Sequence, residues 1–340
     1  MTFHALAATA DLRRDELLKE ANSGEFTVIA VDSQWVPELA SLGMLDGLDQ
    51  GEFDFADYLP QAAEPLVEDG VAYAVPLASD VGVLVSTLPG RSSGTTALRP
   101  ECAVYSSPTP CYGAAYARGD GLTVAVMEAV QAQGGELFAA DQTVGDKDAL
   151  LLALEQLAGD FADFQTGGGT PPEAAYWDDA DVVRALDADR LKEGRVWASQ
   201  ARGLAGAGAV SELPGLGQAS VGVYGGLAVA VNAHGRNLAT ARDFAKWLAD
   251  PQRQRQRYDD AGMLPVTASL LAGEAGAGGQ WGQVAAKAVT TAVARPPVAD
   301  YHALSQVVYE AVWPVLAQGR EPQAAVDEIE SGLAQVVAAR

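Results

Sequence analysis

Several charged and aromatic side chains stand where the sequence otherwise predicts buried apolar structure. Asp32 follows the apolar run Phe26–Val31, and Trp35 comes three residues later. Asp80 interrupts the apolar stretch from Val71 to Pro89. A charge in such surroundings needs a partner or contact with water. Because carboxylates accept paired hydrogen bonds and aromatic rings offer flat apolar faces, these residues are candidates for ligand contacts.

Each of these residues also has a purely structural interpretation. Asp32 fits an N-cap for the next helix, and Trp35 fits a core position. Asp120 precedes a helix predicted over Gly121–Gln133, where a carboxylate is an ordinary cap. The sequence leaves both interpretations open for these residues.

A second group of candidates lies in the last third of the chain. Tyr224 is followed by Gly225 and Gly226 inside the strand predicted over Val221–Val231. Glycine in a strand lets a ligand approach the backbone, and it equally fits a bulge. Arg295 lies between two apolar stretches, where a bidentate ligand contact and a plain ion pair are both open.

The tryptophans divide into two classes. Trp177, beside Tyr176 and Asp178, is a candidate second stacking surface. Trp247 and Trp313 fall on apolar faces of predicted helices, which predicts core positions.

Signals of catalysis, metal binding or cofactor binding are missing from the sequence. No nucleophile elbow, Walker loop or dinucleotide-binding glycine motif occurs. His4, His234 and His302 are far apart, so neither a zinc site nor a Ser-His-Asp triad is predicted. The acidic pairs Asp178-Asp179 and Asp259-Asp260 fit solvated helix ends. We therefore expect a protein that is not an enzyme and holds no metal or cofactor.

Composition limits the class further. The chain has 340 residues, 49% of them hydrophobic, and a formal net charge of −23. That length suits two lobes, and that acidity disfavours nucleic acid and anionic membranes. Asp80 and Pro76 exclude a spanning helix over Val71–Pro89, and Met1–Asp11 carries no signal-peptide pattern.

Alternating elements predict an α/β class with mostly parallel sheets. Phe3–Ala7 is predicted as a short strand and Asp179–Lys192 as a helix. A further helix is predicted over Thr240–Leu248, with Thr240 as its N-cap. Cys102 and Cys111 are the two cysteines, and the sequence leaves open whether they form a disulfide.

Four segments, in order along the chain, resemble the extracellular solute-binding proteins of ABC importers, in the carbohydrate branch related to maltose- and trehalose-binding proteins. They are Ala30–Ala40 with Gly43-Met44-Leu45 and Leu48-Asp49; Ala74–Leu77 with Asp80 and Leu84; Asp120–Glu128 with Gly134-Gly135; and Gly222–Val231 with Ala241–Leu248, Asp250-Pro251 and Gly262–Pro265. Arg295-Pro296 and Tyr301 with two closing helices complete the pattern. No single motif is specific, whereas their order is.

The resemblance implies the two-lobed periplasmic-binding-protein fold of type II, with hinged lobes. The N-terminal lobe is expected at residues 1–86 and 228–282, and the C-terminal lobe at residues 87–227 and 283–340. Relative to the family, the N-terminal lobe is expected to be shortened by one strand–helix unit.

The resemblance also implies a function. A di- or oligosaccharide of the trehalose or maltose type would bind in the interlobe cleft and be delivered to permease subunits, which work with partner subunits that hydrolyse ATP. The expected ligand-binding residues are Asp32, Trp35, Asp80, Asp120, Trp177, Tyr224, Gly225, Gly226, Arg295 and Tyr301. The expected protein is a monomer in the periplasm, or a lipoprotein on the cell surface, without a signal peptide in this chain.

Two alternatives remain open at this point. The same fold could bind another small solute, namely a polyol, an amino acid derivative or a metal chelate, and the low aromatic content of 7% favours this alternative weakly. A glycoside-acting enzyme is the other alternative, and it would need two opposed carboxylates.

Overall fold

The computed structural model of the chain describes residues 3–20, 23–48, 55–88, 111–166, 169–204, 208–215, 220–274 and 278–340. Cys102 and the loop predicted over Gly90–Pro100 lie outside these residues. The α-helices are α1 (Ala10–Glu20), α2 (Val36–Ser41), α3 (Pro60–Ala63), α4 (Asp120–Ala132), α5 (Lys147–Ala162), α6 (Asp179–Asp187), α7 (Ala198–Leu204), α8 (Leu238–Ala249), α9 (Pro251–Ala261), α10 (Ala268–Glu274), α11 (Gly279–Thr290), α12 (Tyr301–Gln318) and α13 (Pro322–Ala338). The strands are β1 (Val28–Asp32), β2 (Val67–Glu68), β3 (Val71–Ala72), β4 (Ala74–Ser86), β5 (Tyr112–Gly113), β6 (Glu193–Trp197), β7 (Ala209–Glu212) and β8 (Tyr224–Val231).

The chain divides into two compact units, each built from three segments. Unit 1 comprises Met1–Asp80, Tyr224–Gly282 and Ala294–Tyr301. Unit 2 comprises Val81–Val223, Gln283–Val293 and His302–Arg340. Strand β4 crosses from unit 1 to unit 2 between Asp80 and Val81, and β8 begins at the return point, Tyr224.

In unit 1, strand β8 pairs with β1 in antiparallel register, with Ala30 opposite Val229. Strand β8 is buried on both faces. Its residues Ala228 and Ala230 contact one core cluster, and Val229 and Val231 contact another. Burial of both faces explains why the sequence here is an almost continuous apolar run.

Unit 2 contains the second part of β4, which pairs antiparallel with both β6 and β7. Strand β5 pairs with β6 in parallel. Helices α4, α5 and α13 pack together, and the α4 side chains Leu122, Val126 and Val130 are completely buried. The first turn of α4 is also bonded to α12, because the Thr123 hydroxyl donates to the carbonyl oxygen of Ser305 at 3.1 Å.

The prediction of mostly parallel sheets is wrong for these strands. Strand β1 with β8, and β4 with β6 and β7, are antiparallel. A parallel sheet arises when consecutive strands are joined by crossover helices. Here the paired strands come from segments far apart in the chain, so chain order does not impose a parallel direction.

Four further expectations differ from the structure. Residues Phe3–Ala7 form no strand, and the helix predicted to Lys192 ends at Asp187 and is followed by β6. Helix α8 begins at Leu238, with Asn237 rather than Thr240 at its N-cap. Trp247 is not a core residue, because it is 49% exposed and stacks on Phe244 at a centroid distance of 5.6 Å.

We expect Trp35→Ala to lower the free energy of unfolding by about 3–5 kcal/mol, because it empties a completely buried aromatic position. Trp247→Ala in the same unit should cost about 1 kcal/mol or less, because this ring is half exposed. Urea unfolding followed by circular dichroism measures both values. Equal losses for the two variants would contradict this assignment of core and surface.

Candidate functional site

Unit 1 brings three of the sequence-predicted residues, Asp80, Tyr224 and Arg295, together with Ser79. We call these four residues the polar cluster. The hydroxyl oxygens of Ser79 and Tyr224 lie 3.0 Å apart, and Arg295 Nη2 donates to the Tyr224 carbonyl oxygen at 3.2 Å. Arg295 is 7% exposed, and Asp80 is half-buried at the last position of unit 1 before the chain crosses over. The cluster therefore presents a carboxylate, a hydroxyl and a guanidinium near the point where the chain leaves the unit.

Electrostatics link the members of the polar cluster. Burial raises the pKa of the Tyr224 hydroxyl, and the negative charge of Asp80 raises it further. The hydrogen bond with Ser79 and the positive charge of Arg295 act in the opposite direction on this pKa. Tyr224 is therefore a neutral hydroxyl at physiological pH, which can donate or accept a hydrogen bond.

The glycine pair has a local structural use. A Cβ on Gly226 would lie 2.6 Å from the Tyr224 ring. Any side chain at this position would clash with the ring, so glycine is required here for the observed position of Tyr224. Gly225 is buried in the same strand. Ligand contact with the backbone of Gly225 or Gly226 stays a prediction.

Asp32 lies at the end of β1 and is engaged by helix α1. Arg13 donates two hydrogen bonds to its carboxylate, at 2.8 and 2.9 Å. Asp32 makes no side-chain cap hydrogen bond to the short 3-10 helix Ser33–Trp35 that comes next. The carboxylate therefore attaches α1 to the sheet, and a ligand role for Asp32 stays a prediction.

Trp35 and Tyr301 lie in the core of unit 1. Their rings are 0% and 1% exposed and pack against each other at a centroid distance of 5.5 Å. The guanidinium of Arg14 lies 5.8 Å from the Trp35 ring centroid. Packing within unit 1 accounts for both rings, and stacking of a ligand on either stays a prediction.

Gln34 is a residue that sequence reasoning missed. It lies just after β1, is only 4% exposed, and its Oε1 has no hydrogen-bond partner among the residues that the structure describes. A buried amide oxygen without a partner is costly, which makes Gln34 a candidate acceptor for a ligand hydroxyl. The available signal was its position directly behind the strand, two residues after Asp32.

Unit 2 contains a second group, which we call the acid–aromatic cluster: Asp120, Asp179, Arg195 and Trp197. Arg195 on β6 is 3% exposed, and its guanidinium lies 3.9 Å from the Trp197 ring centroid. Arg195 Nη1 lies 3.6 Å from Asp179 Oδ1, at the start of α6. Trp197 and Asp179 are both half-buried, so a flat ring and a carboxylate remain partly accessible.

The carboxylate of Asp179 titrates abnormally. Desolvation by burial raises its pKa, and the negative charges of Asp178 and Asp120 raise it further. The positive charge of Arg195 and a hydrogen bond from Trp197 lower this pKa, without offsetting the burial. Asp179 therefore binds a proton more readily than an ordinary aspartate does.

Asp120 is the first residue of α4 and not its cap, since Gly119 takes the N-cap position with φ +146°. Its carboxylate is 3% exposed and accepts a hydrogen bond from the Ser305 hydroxyl at 3.4 Å. A negative charge in the first turn is stabilised by the helix dipole. Asp120 therefore stabilises the start of its helix, and its link to the acid–aromatic cluster is the effect of its negative charge on the Asp179 carboxyl.

Trp177 is half-buried beside Gly113, where an added Cβ would lie 3.2 Å from the indole. Its neighbour Tyr176 is 65% exposed and meets the edge of Trp313 at a centroid distance of 5.5 Å. Trp313 is partly buried and donates from Nε1 to the Ala175 carbonyl oxygen at 2.8 Å. A stacking role for Trp177 stays a prediction.

Asp179 and Trp197 were missed by sequence reasoning for identifiable reasons. The pair Asp178-Asp179 was interpreted as a solvated helix end. That description fits only Asp178, which forms a capping box with Asp181. Trp197 ends β6, a strand that begins one residue after the segment predicted as a helix up to Lys192. The available signal was an aromatic residue two positions after an arginine, which places both side chains on the same face of a strand.

Three observations bear on other kinds of site. No group of three His, Cys, Asp or Glu side chains that could hold a metal ion occurs among the described residues. In the same part of the chain, no helix is both long and apolar enough to cross a membrane. Cys111 is buried and disulfide-bonded.

The raised pKa of Asp179 predicts how stability depends on pH. The folded protein holds the Asp179 proton to higher pH than the unfolded chain, whose aspartates titrate near 3.8. The unfolding free energy should therefore fall as the pH rises from that value through the folded-state pKa of Asp179. Asp179→Asn removes this titration, so the variant should show a flatter profile in urea unfolding across the window.

Asp178→Asn provides the matched comparison, since it keeps the Asp179 carboxyl but removes a neighbouring charge that raises the pKa of Asp179. We expect the slope to become shallower in that variant without disappearing. An unchanged slope in Asp179→Asn would contradict the raised pKa.

Comparison with known proteins finds similarity in structure. No protein-family model matches the sequence, and no curated protein matches it. Maltose-bound MalE3 of T. maritima superposes with a TM-score of 0.85 at 20% identity, over 96% of this chain and 89% of that one. A solute-binding protein of an ABC transporter from Thermotoga lettingae TMO, bound with α-D-tagatose, gives 0.84 at 19% identity, over 96% and 90%. One from Agrobacterium radiobacter K84, in complex with ribitol, gives 0.77 at 20% identity, over 95% and 89%.

These similarities confirm the predicted fold. The chain has the periplasmic-binding-protein fold, with mixed α/β structure, found in solute-binding proteins of ABC transporters.

Proposed function

We propose that the protein is the substrate-binding component of an ABC transporter and binds a carbohydrate or a related polyol. The observation that carries the proposal is the polar cluster of unit 1, found in a chain whose fold is shared with sugar-binding transport proteins. A carboxylate, a phenol hydroxyl and a buried guanidinium lie together there, at the border of the unit.

The chemistry of the polar cluster suits a neutral guest with many hydroxyl groups. Asp80 accepts hydrogen bonds from ligand hydroxyls, and Arg295 donates to ligand oxygens. The Tyr224 hydroxyl, kept neutral by its raised pKa, can do either. This mixed set of donors and acceptors matches hydroxyl groups, which both donate and accept.

The acid–aromatic cluster of unit 2 supplies complementary chemistry. The half-buried Trp197 ring offers a flat face for the C–H surface of a sugar, and Asp179 offers an acceptor beside it. Arg195 lies on the Trp197 ring, which orients the indole. Trp177 and Asp120, two of the residues expected from the sequence, belong to the same unit.

The energetics of such contacts suffice for uptake of a nutrient. A hydrogen bond to a charged group contributes about 1.5–3 kcal/mol. Micromolar affinity corresponds to about −8 kcal/mol, which three to five such bonds and one stacked ring supply. No bond needs to be broken in the ligand, and the proposal assigns no catalytic residue.

A polyol is the second candidate ligand, favoured by the structural similarity to the ribitol-bound protein. A linear polyol lacks the flat C–H face of a sugar ring. Trp197→Ala would therefore weaken sugar binding more than polyol binding, and this difference separates the two candidates.

The solved structures with this fold that are named above are solute-binding transport proteins, which supports a role without catalysis. The expected partner is the permease of an ABC importer, and the expected location is extracytoplasmic. The disulfide at Cys111 supports that location, because disulfides persist in oxidising compartments.

Isothermal titration with maltose, trehalose, D-tagatose and ribitol tests the proposed function. We expect saturable binding of at least one compound by the wild type. Asp80→Asn should weaken this binding by about 10–100-fold, since it removes a charged acceptor worth about 1.5–3 kcal/mol. Arg295→Lys should weaken it as well, because lysine cannot form the paired contacts of a guanidinium.

Asp243→Asn is the matched control, an aspartate on α8 of the same unit that lies outside the polar cluster. It should bind as the wild type does. The proposal would be contradicted if no compound of the panel bound the wild type. It would also be contradicted if Asp80→Asn, with an intact melting transition, bound with full affinity.

The thiols give an independent prediction about location. The secreted or periplasmic protein should show no reactive thiol when denatured without reductant, and should show two after reduction, because Cys111 is disulfide-bonded and the chain has two cysteines. Thiol labelling followed by intact mass spectrometry measures this. Full labelling of freshly purified protein without reductant would contradict the disulfide.

A further inference from the structure

Arg195 is a buried cation with contacts in three directions. Its Nε and Nη2 donate to the two carboxylate oxygens of Glu128, both at 2.9 Å. The same guanidinium lies 3.9 Å from the Trp197 ring centroid, and its Nη1 lies 3.6 Å from Asp179. Arg195 and Glu128 are 3% and 5% exposed, so the pair is shielded from salt and water.

Glu128 also bonds to the backbone at the point where the chain leaves unit 2. Its Oε1 accepts the Val223 N–H at 3.1 Å, and Val223 is the last residue of unit 2 before the chain enters β8. Gly82 lies against the pair from the other crossing strand, because a Cβ there would come within 2.2 Å of Glu128 Oε1 and 2.8 Å of Arg195 Nη2. The pair therefore contacts both crossing segments just inside unit 2.

Further backbone bonds extend this arrangement. Gly82 N–H donates to the Val223 carbonyl oxygen at 3.4 Å, and Val293 N–H donates to the Gly222 carbonyl oxygen at 3.0 Å. A Cβ on Gly222 would lie 2.7 Å from the Gly82 carbonyl oxygen. Two of the segments that cross between the units thus contact the buried ion pair inside unit 2, and the third is bonded through Val293 to Gly222, the residue before Val223.

We propose that Glu128 and Arg195 are a positioning pair, which orients Trp197 and Asp179 on one side and fixes the crossing segments at Gly82 and Val223 on the other. The part that concerns Trp197 and Asp179 rests on the proposed function, since it treats them as ligand contacts. The part that concerns the crossing segments stands on the contacts alone. Neither Glu128 nor Arg195 contacts the ligand in this assignment.

Substitutions of Glu128 and Arg195 should shift the pKa of Asp179 in opposite directions. This difference separates a positioning role of the pair from a general contribution to the stability of unit 2. The groups that act on the Asp179 carboxyl are Arg195, Trp197, Asp178 and Asp120. In Glu128→Gln the Arg195 charge loses its main carboxylate partner and acts more strongly on Asp179, so the pKa of Asp179 should fall. In Arg195→Met that positive charge is gone, so the pKa of Asp179 should rise. A general loosening of unit 2 would move the pKa in one direction in both variants.

The experiment uses the full chain without ligand. Carbon NMR of aspartate-labelled protein monitors the Asp179 carboxyl, with Asp179→Asn to identify the signal. Hydrogen exchange by mass spectrometry monitors the peptides that contain Gly82 and Val223. Lys287→Gln is the control, because it breaks an exposed pair with Glu212 at 2.6 Å in the same unit. If Arg195→Met does not fold, Arg195→Gln replaces it, since glutamine also removes the positive charge but keeps hydrogen-bond donors for Glu128.

We expect opposite shifts of the Asp179 pKa in the two variants, and at least tenfold faster exchange at Val223 in Glu128→Gln only. Exchange equal to that of Lys287→Gln, or pKa shifts of the same sign, would overturn the inference. Maltose titration tests the part of the inference that concerns the ligand. We expect Glu128→Gln to bind maltose at least tenfold more weakly than the wild type. If no compound of the panel binds the wild type, the proposed function fails, while exchange and titration still decide this inference.

Discussion

A guanidinium can be buried only where its charge is matched, and this constraint organises both units. Removing one partner of a buried ion pair costs about 3–5 kcal/mol, because the other charge is left without compensation. Arg195 meets the requirement through the carboxylate of Glu128. Arg295 is likewise buried and donates to the Tyr224 carbonyl oxygen, and both its charge and that of Asp80 act on the Tyr224 hydroxyl. Each unit therefore carries a cation whose partners must stay in place.

These two cations lie near the points where the chain passes between the units. Arg195 is linked through Glu128 to Val223, and Arg295 is bonded to Tyr224, the next residue along the chain. The surrounding carboxylates Asp80 and Asp179 are half-buried, so they are held by the protein and still partly accessible. The same charged side chains therefore contribute to the stability of the fold and to the proposed ligand binding. A substitution at either arginine would disturb both.

The sequence could predict part of this arrangement. Asp80 and Arg295 stand out because a charge in an apolar run demands a partner, and in the structure both charges act on the Tyr224 hydroxyl. Trp35 is predicted from its place after Asp32 and from the resemblance, and Tyr301 from the resemblance alone. Neither signal distinguishes a core ring from an exposed one. Sequence alone cannot show that Arg13 engages Asp32, because that contact joins α1 to a strand end.

The misses have a common physical cause. The pKa of Asp179 is raised mainly by burial in the folded chain, with further effects of distant charges such as Arg195 and Asp120, and Trp197 is engaged by the guanidinium on its face. The direction of the strands was likewise set by long-range pairing, which gave antiparallel ladders instead of parallel ones. Local patterns identified most helices and the long apolar strands, whereas the environment of each charge depended on tertiary contacts.

The most direct test of the central claim is a crystal structure of the protein with a bound sugar or polyol. The account predicts ligand hydroxyl groups within hydrogen-bond distance of the side chains of the polar cluster or the acid–aromatic cluster, with Glu128 and Arg195 still paired. A ligand bound on a surface that touches neither cluster would contradict it.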